Sequence, residues 1–442
     1  MRSMKWAAVL GLLGTGLLFG ATPTAGNAQG KTVHTTNMSK GFYLHDGDRV
    51  VFYGDSITEQ KLYTTYIESY CVSRFPKEHF TFIHSGWGGD RVGGGGGGPI
   101  DLRLDRDVLV YKPNVVTVCL GMNDGSYRSF DQGIFDTYVK GYRHILDRLT
   151  AELPGVRLTL LTAPAFDDVT RPVGFPGGYN ATLVAYGKAV QDLAKEYKAT
   201  VADTNAPLVA ALTKAQTLDA DMSALVIKDR IHPGPGGHVV MAAAVLKAWN
   251  APDTVADIEI DARKHKVVKS LGSTVSGLSF TPQKITFTHT DGALPWPLDR
   301  DPANNKDTML MLQSTEIEQT LNRYMLRIVN LPVANYVLKV DGEDMGTISR
   351  EQLQTGVDLA GLAALGPNKQ AQSVLGMIRR HNEMHNRKWR DLQVPNSSNG
   401  KTITPDIQTK MDDFDQQEKD VLKSLPDADM PKSHTVELIP AA

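Results

Sequence analysis

Arg49-Val50-Val51-Phe52-Tyr53-Gly54-Asp55-Ser56-Ile57-Thr58 decides how this chain is read. The first five residues are a short run of β type, apolar from Val50 on. The next five bring a glycine, a carboxylate and a hydroxyl to the point where that run ends. A helical pattern follows from about Glu59 to Arg74. The same alternation continues outward. Phe80-Thr81-Phe82-Ile83 is a second strand-like run, and Val115-Val116-Thr117-Val118-Cys119-Leu120 a third. The third is mostly apolar and rich in β-branched residues, the composition of a strand buried on both sides of a parallel sheet. Arg157-Leu158-Thr159-Leu160-Leu161 and Thr200-Val201-Ala202 complete the set. Helical patterns lie between them near 135–152 and 181–197, and a last one near 237–249. This order predicts an α/β layer fold with a parallel sheet covered on both faces.

In such a sheet ligands bind at the carboxyl ends of the strands. Four short stretches with chemical capacity fall there or at a helix start. Gly54-Asp55-Ser56 follows the first strand, and its serine would otherwise serve only as a helix cap. Ser85-Gly86-Trp87-Gly88-Gly89-Asp90-Arg91 ends the second, where glycines let backbone N–H groups approach a ligand. Gly121-Met122-Asn123-Asp124 ends the third, and an asparagine amide there can donate to a developing oxyanion. Asp229-Arg230-Ile231-His232-Pro233 precedes the last helix. Its three-residue offset lets one turn present a histidine with the carboxylate that fixes its tautomer. Taken singly, each stretch reads equally as a cap, a tight turn or a helix-leading loop.

Taken together, in the order Ser, Gly, Asn, Asp–His, they resemble the SGNH/GDSL hydrolase family over residues 46–250. The resemblance implies a three-layer α/β/α, flavodoxin-like domain. It implies Ser56 as nucleophile, His232 as its base and Asp229 as the group that orients His232. The oxyanion hole would comprise the Ser56 and Gly89 backbone N–H groups and the Asn123 side chain. Gly89 rather than Gly88 is chosen because it directly precedes Asp90. The implied mechanism needs no cofactor and no metal. The expected organisation is a signal peptide over 1–28, a hydrolase domain over 46–252, a β-rich accessory region over 253–365 and a helical tail over 366–442.

The remaining features set the context. The chain has 442 residues, 41% hydrophobic and 22% charged, with net charge −2. It can bury a large core, and nothing basic advertises a nucleic-acid partner. Arg2 and Lys5, an apolar run from Trp6 to Ala21 and small residues up to Ala28 read as a secretory leader cut after Ala28. No stable membrane span is expected once it is removed, and the expected location is secreted or periplasmic. Cys71 and Cys119 read as small buried residues, a bridge between them staying open. Asp291-Gly292 and Asp341-Gly342 signal hairpins in the β-rich region. Gly93 to Gly98 meets a G-x-G-x-x-G pattern only because every residue is glycine, and reads as a mobile loop bordering the site. His381 and His385 read as residues of a solvated helix. Trp296, in a Pro-rich loop, reads as a buried aromatic rather than a sugar platform. The expected function is a secreted serine esterase acting through an acyl-enzyme, with an ester substrate of the O-acetylated carbohydrate type. A lipid-directed esterase or lysophospholipase, and a non-catalytic carbohydrate- or surface-binding protein, are the alternatives. The sequence leaves the oligomeric state open.

Overall fold

A computed structural model describes residues 41–397 and 403–441. The expected leader, residues 1–28, lies outside the described residues. The first half carries strands β1 (Arg49–Gly54), β2 (Thr81–Gly86), β3 (Gly94–Gly95), β4 (Gly98–Pro99), β5 (Val115–Cys119), β6 (Arg157–Leu161) and β7 (Thr200–Ala202). Its helices are α1 (Ser56–Glu59), α2 (Leu62–Arg74), α3 (Ile100–Asp107), α4 (Gln132–Glu152), α5 (Gly178–Tyr197), α6 (Ala206–Leu218), α7 (Ala220–Val226) and α8 (Pro235–Ala248).

Five strands form one parallel sheet in the order β2-β1-β5-β6-β7. Successive side chains of a strand point to opposite faces, so β1 feeds two cores. Val50 and Phe52 join the cluster that holds Tyr66, Leu208 and Val239 from α2, α6 and α8. Val51 and Tyr53 join the cluster that holds Leu104, Tyr142 and Val190 from α3, α4 and α5. The result is a three-layer α/β/α sandwich, as expected. Chain order reverses between β1 and β5, the switch point at which a doubly wound sheet opens a crevice. Cys71 on α2 and Cys119 at the end of β5 are both buried free thiols.

The second half adds β8 (Thr254–Asp261), β9 (Lys266–Leu271), β10 (Ser273–Phe280), β11 (Ile285–Asp291), β12 (Arg323–Val329), β13 (Asn335–Val340), β14 (Glu343–Ser349), β15 (Val357–Asp358) and β16 (Ser433–Pro440). They form two sheets, ordered β10-β11-β16-β13-β14 and β15-β12-β8-β9. Ile258, Tyr324 and Ile328 of one sheet share a core with Phe287, Leu338 and Leu438 of the other. The helices here are α9 (Lys306–Gln313), α10 (Ile317–Leu321), α11 (Arg350–Thr355), α12 (Gly366–Arg387), α13 (Val394–Ser397) and α14 (Pro405–Asp429), with a π-helical turn over Lys388–Gln393.

This half is not a separate bead. Leu310 and Met311 of α9 and Leu321 of α10 lie in the same core as α2 and α8. Trp296 is 1% exposed and donates from its indole to the Tyr66 carbonyl, 2.9 Å. Buried Arg74 of α2 donates to the carbonyls of Pro252 and Leu321. Helix α12 lies on α2, where Asn382 donates to Glu68 at 2.7 Å.

Four expectations are corrected. The tail over 366–442 is helical only in part, because β16 enters the middle of a sheet. Gly93 to Gly98 closes into the β3–β4 hairpin and so has a defined conformation. Asp341-Gly342 turns the β13–β14 hairpin, but Asp291-Gly292 turns none; the Gly292 N–H bonds instead to the Gly272 carbonyl. His381 and His385 are buried rather than solvated, facing Glu418 of α14 at 3.8 and 3.6 Å.

Candidate active site

Helix α1 starts two residues after β1 ends, so Ser56 stands at the carboxyl edge of the sheet. Asp55 caps this helix, its carboxylate accepting the Ile57 N–H at 3.0 Å. The helix sits almost on the end of β2. A Cβ on Gly86 would lie 2.1 Å from the Glu59 backbone nitrogen, so no other residue fits there.

The structure brings three expected residues into one hydrogen-bonded chain. Ser56 Oγ is 2.8 Å from His232 Nε2, and His232 Nδ1 is 2.6 Å from Asp229 Oδ2. The other Asp229 oxygen accepts the backbone N–H groups of Ile231 and His232 at 3.0 and 2.8 Å. Burial opposes the charge on Asp229. These N–H bonds and the imidazole outweigh it and hold the carboxyl below its usual range. The loop between Asp229 and His232 is strained, because Arg230 adopts φ 73° without being glycine. Its guanidinium donates to the Pro172 carbonyl at 2.6 Å and faces Asp168 at 3.6 Å, which anchors the turn. A second histidine nearby, His238, is excluded from base chemistry. Its Nδ1 accepts the Tyr63 N–H, its Nε2 faces Gln60, and burial pushes its pKa down to about 3.

Two of the expected oxyanion residues border one turn, Gly89 within it and Asn123 bonded to its end at Asp90. The Trp87–Asp90 turn runs beside Ser56: a Cβ on Gly88 would lie 3.9 Å from Ser56 Cβ. Gly89 takes φ +75°, a left-handed conformation that glycine adopts without strain. Asn123 is buried and donates one amide hydrogen to the Asp90 carbonyl at 3.0 Å. Its oxygen accepts the Tyr127 hydroxyl at 2.6 Å. With both contacts made, the orientation of the amide is fixed and its second N–H is left for a ligand. Sequence reasoning missed Tyr127. Its residue type carries no signal, and it reaches Asn123 only because Ser126 and Tyr127 both adopt φ 56°.

Three more carboxyls stand behind the site. Burial, with Asp124 and Asp90 nearby, pushes Asp55 up to about 7. Burial pushes Asp124 up to about 6 and raises Asp90 despite its ion pair with Arg103 at 2.6 Å. A hydroxyl bonded to a carboxylate-backed imidazole, next to a cluster of N–H donors, is equipped for acyl transfer.

Comparison with known proteins agrees. Residues 52–240 match the GDSL-like lipase/acylhydrolase family. An acetylxylan esterase of Geobacillus stearothermophilus is 25% identical over 223 residues, which are 46% of this chain and 94% of that protein. The solved structure of a gut microbial diltiazem-metabolizing enzyme superposes over 90% of this chain and 98% of its own, with a TM-score of 0.77 and 24% identity. The second likeness extends through the β sandwich and helices as well as the α/β domain. By its family match and the arrangement of its parallel sheet, the α/β domain of this chain belongs to the SGNH/GDSL hydrolase family, and the chain is a serine ester hydrolase.

Proposed function

We propose that this chain is an exported esterase that removes small acyl groups, acetyl above all, from carbohydrate. The observation that carries the chemistry is the hydrogen-bonded chain Ser56–His232–Asp229 beside the Gly89 turn and the Asn123 amide. The likeness to an acetylxylan esterase supports the substrate class, and the leader-like residues 1–28 support export. No helix among the described residues is long and apolar enough to cross a membrane.

In this reading Ser56 Oγ attacks the ester carbon as its proton passes to His232 Nε2. The carbonyl oxygen becomes an oxyanion held by the Ser56 and Gly89 N–H groups and the Asn123 amide. His232 returns the proton to the leaving alkoxide, and the acyl group stays on Ser56. Water, deprotonated by His232, then releases the acid. Asp229 remains ionised throughout and stabilises the imidazolium. General-base help of this kind contributes about 10²–10⁴-fold.

The deciding experiment compares hydrolysis of nitrophenyl acetate and octanoate by the wild type and Ser56→Ala, followed by acetate release from acetylated xylan. Activity that is greatest on acetate, lost in Ser56→Ala and extended to xylan is expected. A preference for octanoate would replace the carbohydrate reading with a lipid one. A folded wild type inert on every substrate would leave a binding role on this scaffold.

A further inference from the structure

Helix α1 carries a second functional group one turn beyond Ser56. Glu59 is its last residue, and its carboxylate lies against the Trp87–Asp90 turn. A Cβ on Gly88 would be 2.8 Å from Glu59 Oε2. A fixed anion there opposes the chemistry, since Gly89 and Ser56 would be stabilising a developing negative charge a few ångströms away. Interactions of this kind are strong where water is partly excluded. Glu59 is a third exposed at its side chain.

Its neutralising partner comes from far along the chain. Arg390, in the π-helical turn after α12, pairs with Glu59 Oε1 at 2.9 Å. The same guanidinium lies over the Trp87 ring, 3.5 Å from its centroid. One residue earlier, Trp389 is 2% exposed, donates to Asp107 at 2.6 Å and meets Trp87 edge-on at 5.7 Å. Lys388 ties the turn to Glu418 and Asp415 of α14. The turn is thus fastened by the two residues that immediately precede Arg390. A π-helical turn widens the helix by one residue, a distortion that recurs at functional positions.

We propose that Arg390 is a positioning residue of the hydrolase site. It cancels the Glu59 charge beside the oxyanion turn and holds Trp87, and through it Gly88 and Gly89, in place. The C-terminal helical region is on this view part of the active site and does not merely accompany it. The proposal rests on the reading of Ser56 as nucleophile.

The test is a double-mutant cycle in the full chain with nitrophenyl acetate. Arg390→Ala is expected to lower kcat by about tenfold or more with little change in KM, because the lost interaction acts on the transition state. Adding Glu59→Gln to Arg390→Ala is expected to recover most of that loss, since the uncompensated anion is gone. Glu59→Gln alone closes the cycle. Should Arg390→Ala fail to fold, Arg390→Met keeps the packing on Trp87 while removing the charge, and the same rescue is expected. A kcat unchanged in Arg390→Ala, or a double variant as slow as Arg390→Ala, overturns the electrostatic role. Retention of activity in Ser56→Ala would instead overturn the reading beneath it, so the two failures are distinguishable.

Discussion

Tyr127 shows how a single side chain can set the orientation of its neighbour Asn123. Asn123 is useful only if its amide nitrogen, and not its oxygen, faces the ligand. The Tyr127 hydroxyl enforces that choice by donating to the oxygen. Burial raises the Tyr127 pKa to about 12, so the hydroxyl stays a donor across the working range. Tyr127→Phe is expected to lower kcat by roughly tenfold, the value of one well-placed hydrogen bond, with KM nearly unchanged. Asn123→Ala is expected to cost about 10²–10³-fold. If the tyrosine works through the asparagine, the double variant is no slower than Asn123→Ala alone; steady-state kinetics on the three proteins would expose independent effects. Ser56, Asp229 and His232, which the structure joins in one hydrogen-bonded chain, were legible in the sequence because each sits in a short block next to a predicted element. Tyr127, Arg230 and Arg390 were not. The first two depend on left-handed backbone, and the third on a contact between residues more than 300 positions apart.

Among the elements, α1 is the one whose placement the site depends on most. It is one turn long, too short to be stable alone. It is held by the Asp55 cap and by direct contact with the end of β2. Gly86→Ala would drive a methyl group into the Glu59 backbone. Backbone yields poorly to overpacking, so a loss of about 1–3 kcal/mol in stability is expected. Activity should fall further than the lost stability alone explains, because Ser56 moves with the helix. Thermal unfolding and kcat measured together would reveal a tolerated change if neither shifts. The strands of the parallel sheet were readable from β-branched, apolar runs. The breaks were harder to read. The helical pattern from Glu59 to Arg74 is divided at Lys61, which takes φ 57°. The all-glycine run gave no side-chain pattern from which its hairpin could be inferred. At Asp291 the turn chemistry of Asp-Gly yields to the tertiary fold, because the carboxylate is buried between His289 and Tyr324.

Across the whole molecule, that same carboxylate links the β sandwich to acidity. Burial disfavours its charge, yet His289, Tyr324 and Ser273 together hold Asp291 below the usual range. A carboxyl with a depressed folded value adds stability above its unfolded value of about 4, and the gain fades as pH falls through the folded value. Thermal midpoints are therefore expected to drop below about pH 4, with a shallower acid slope in Asp291→Asn; identical slopes would remove Asp291 from the account. The hydrolase half was legible at this scale because its strands are local and repetitive. The interleaving of the two halves was not, since residues such as Trp296 and Leu310 reveal only in three dimensions that they fill the hydrolase core. One placement in the sandwich has a temporal meaning. Strand β16 lies between β11 and β13 and pairs with both. Its partner on β11 is 143 residues earlier along the chain, at Thr290 and Ser433. Until those residues leave the ribosome, the sheet exists as two half-sheets with bare edges facing one gap. The catalytic layers can assemble during synthesis, whereas the sandwich must wait and then close in one late step, a keystone set last, with its unpaired edges shielded in the interval by whatever holds the nascent chain.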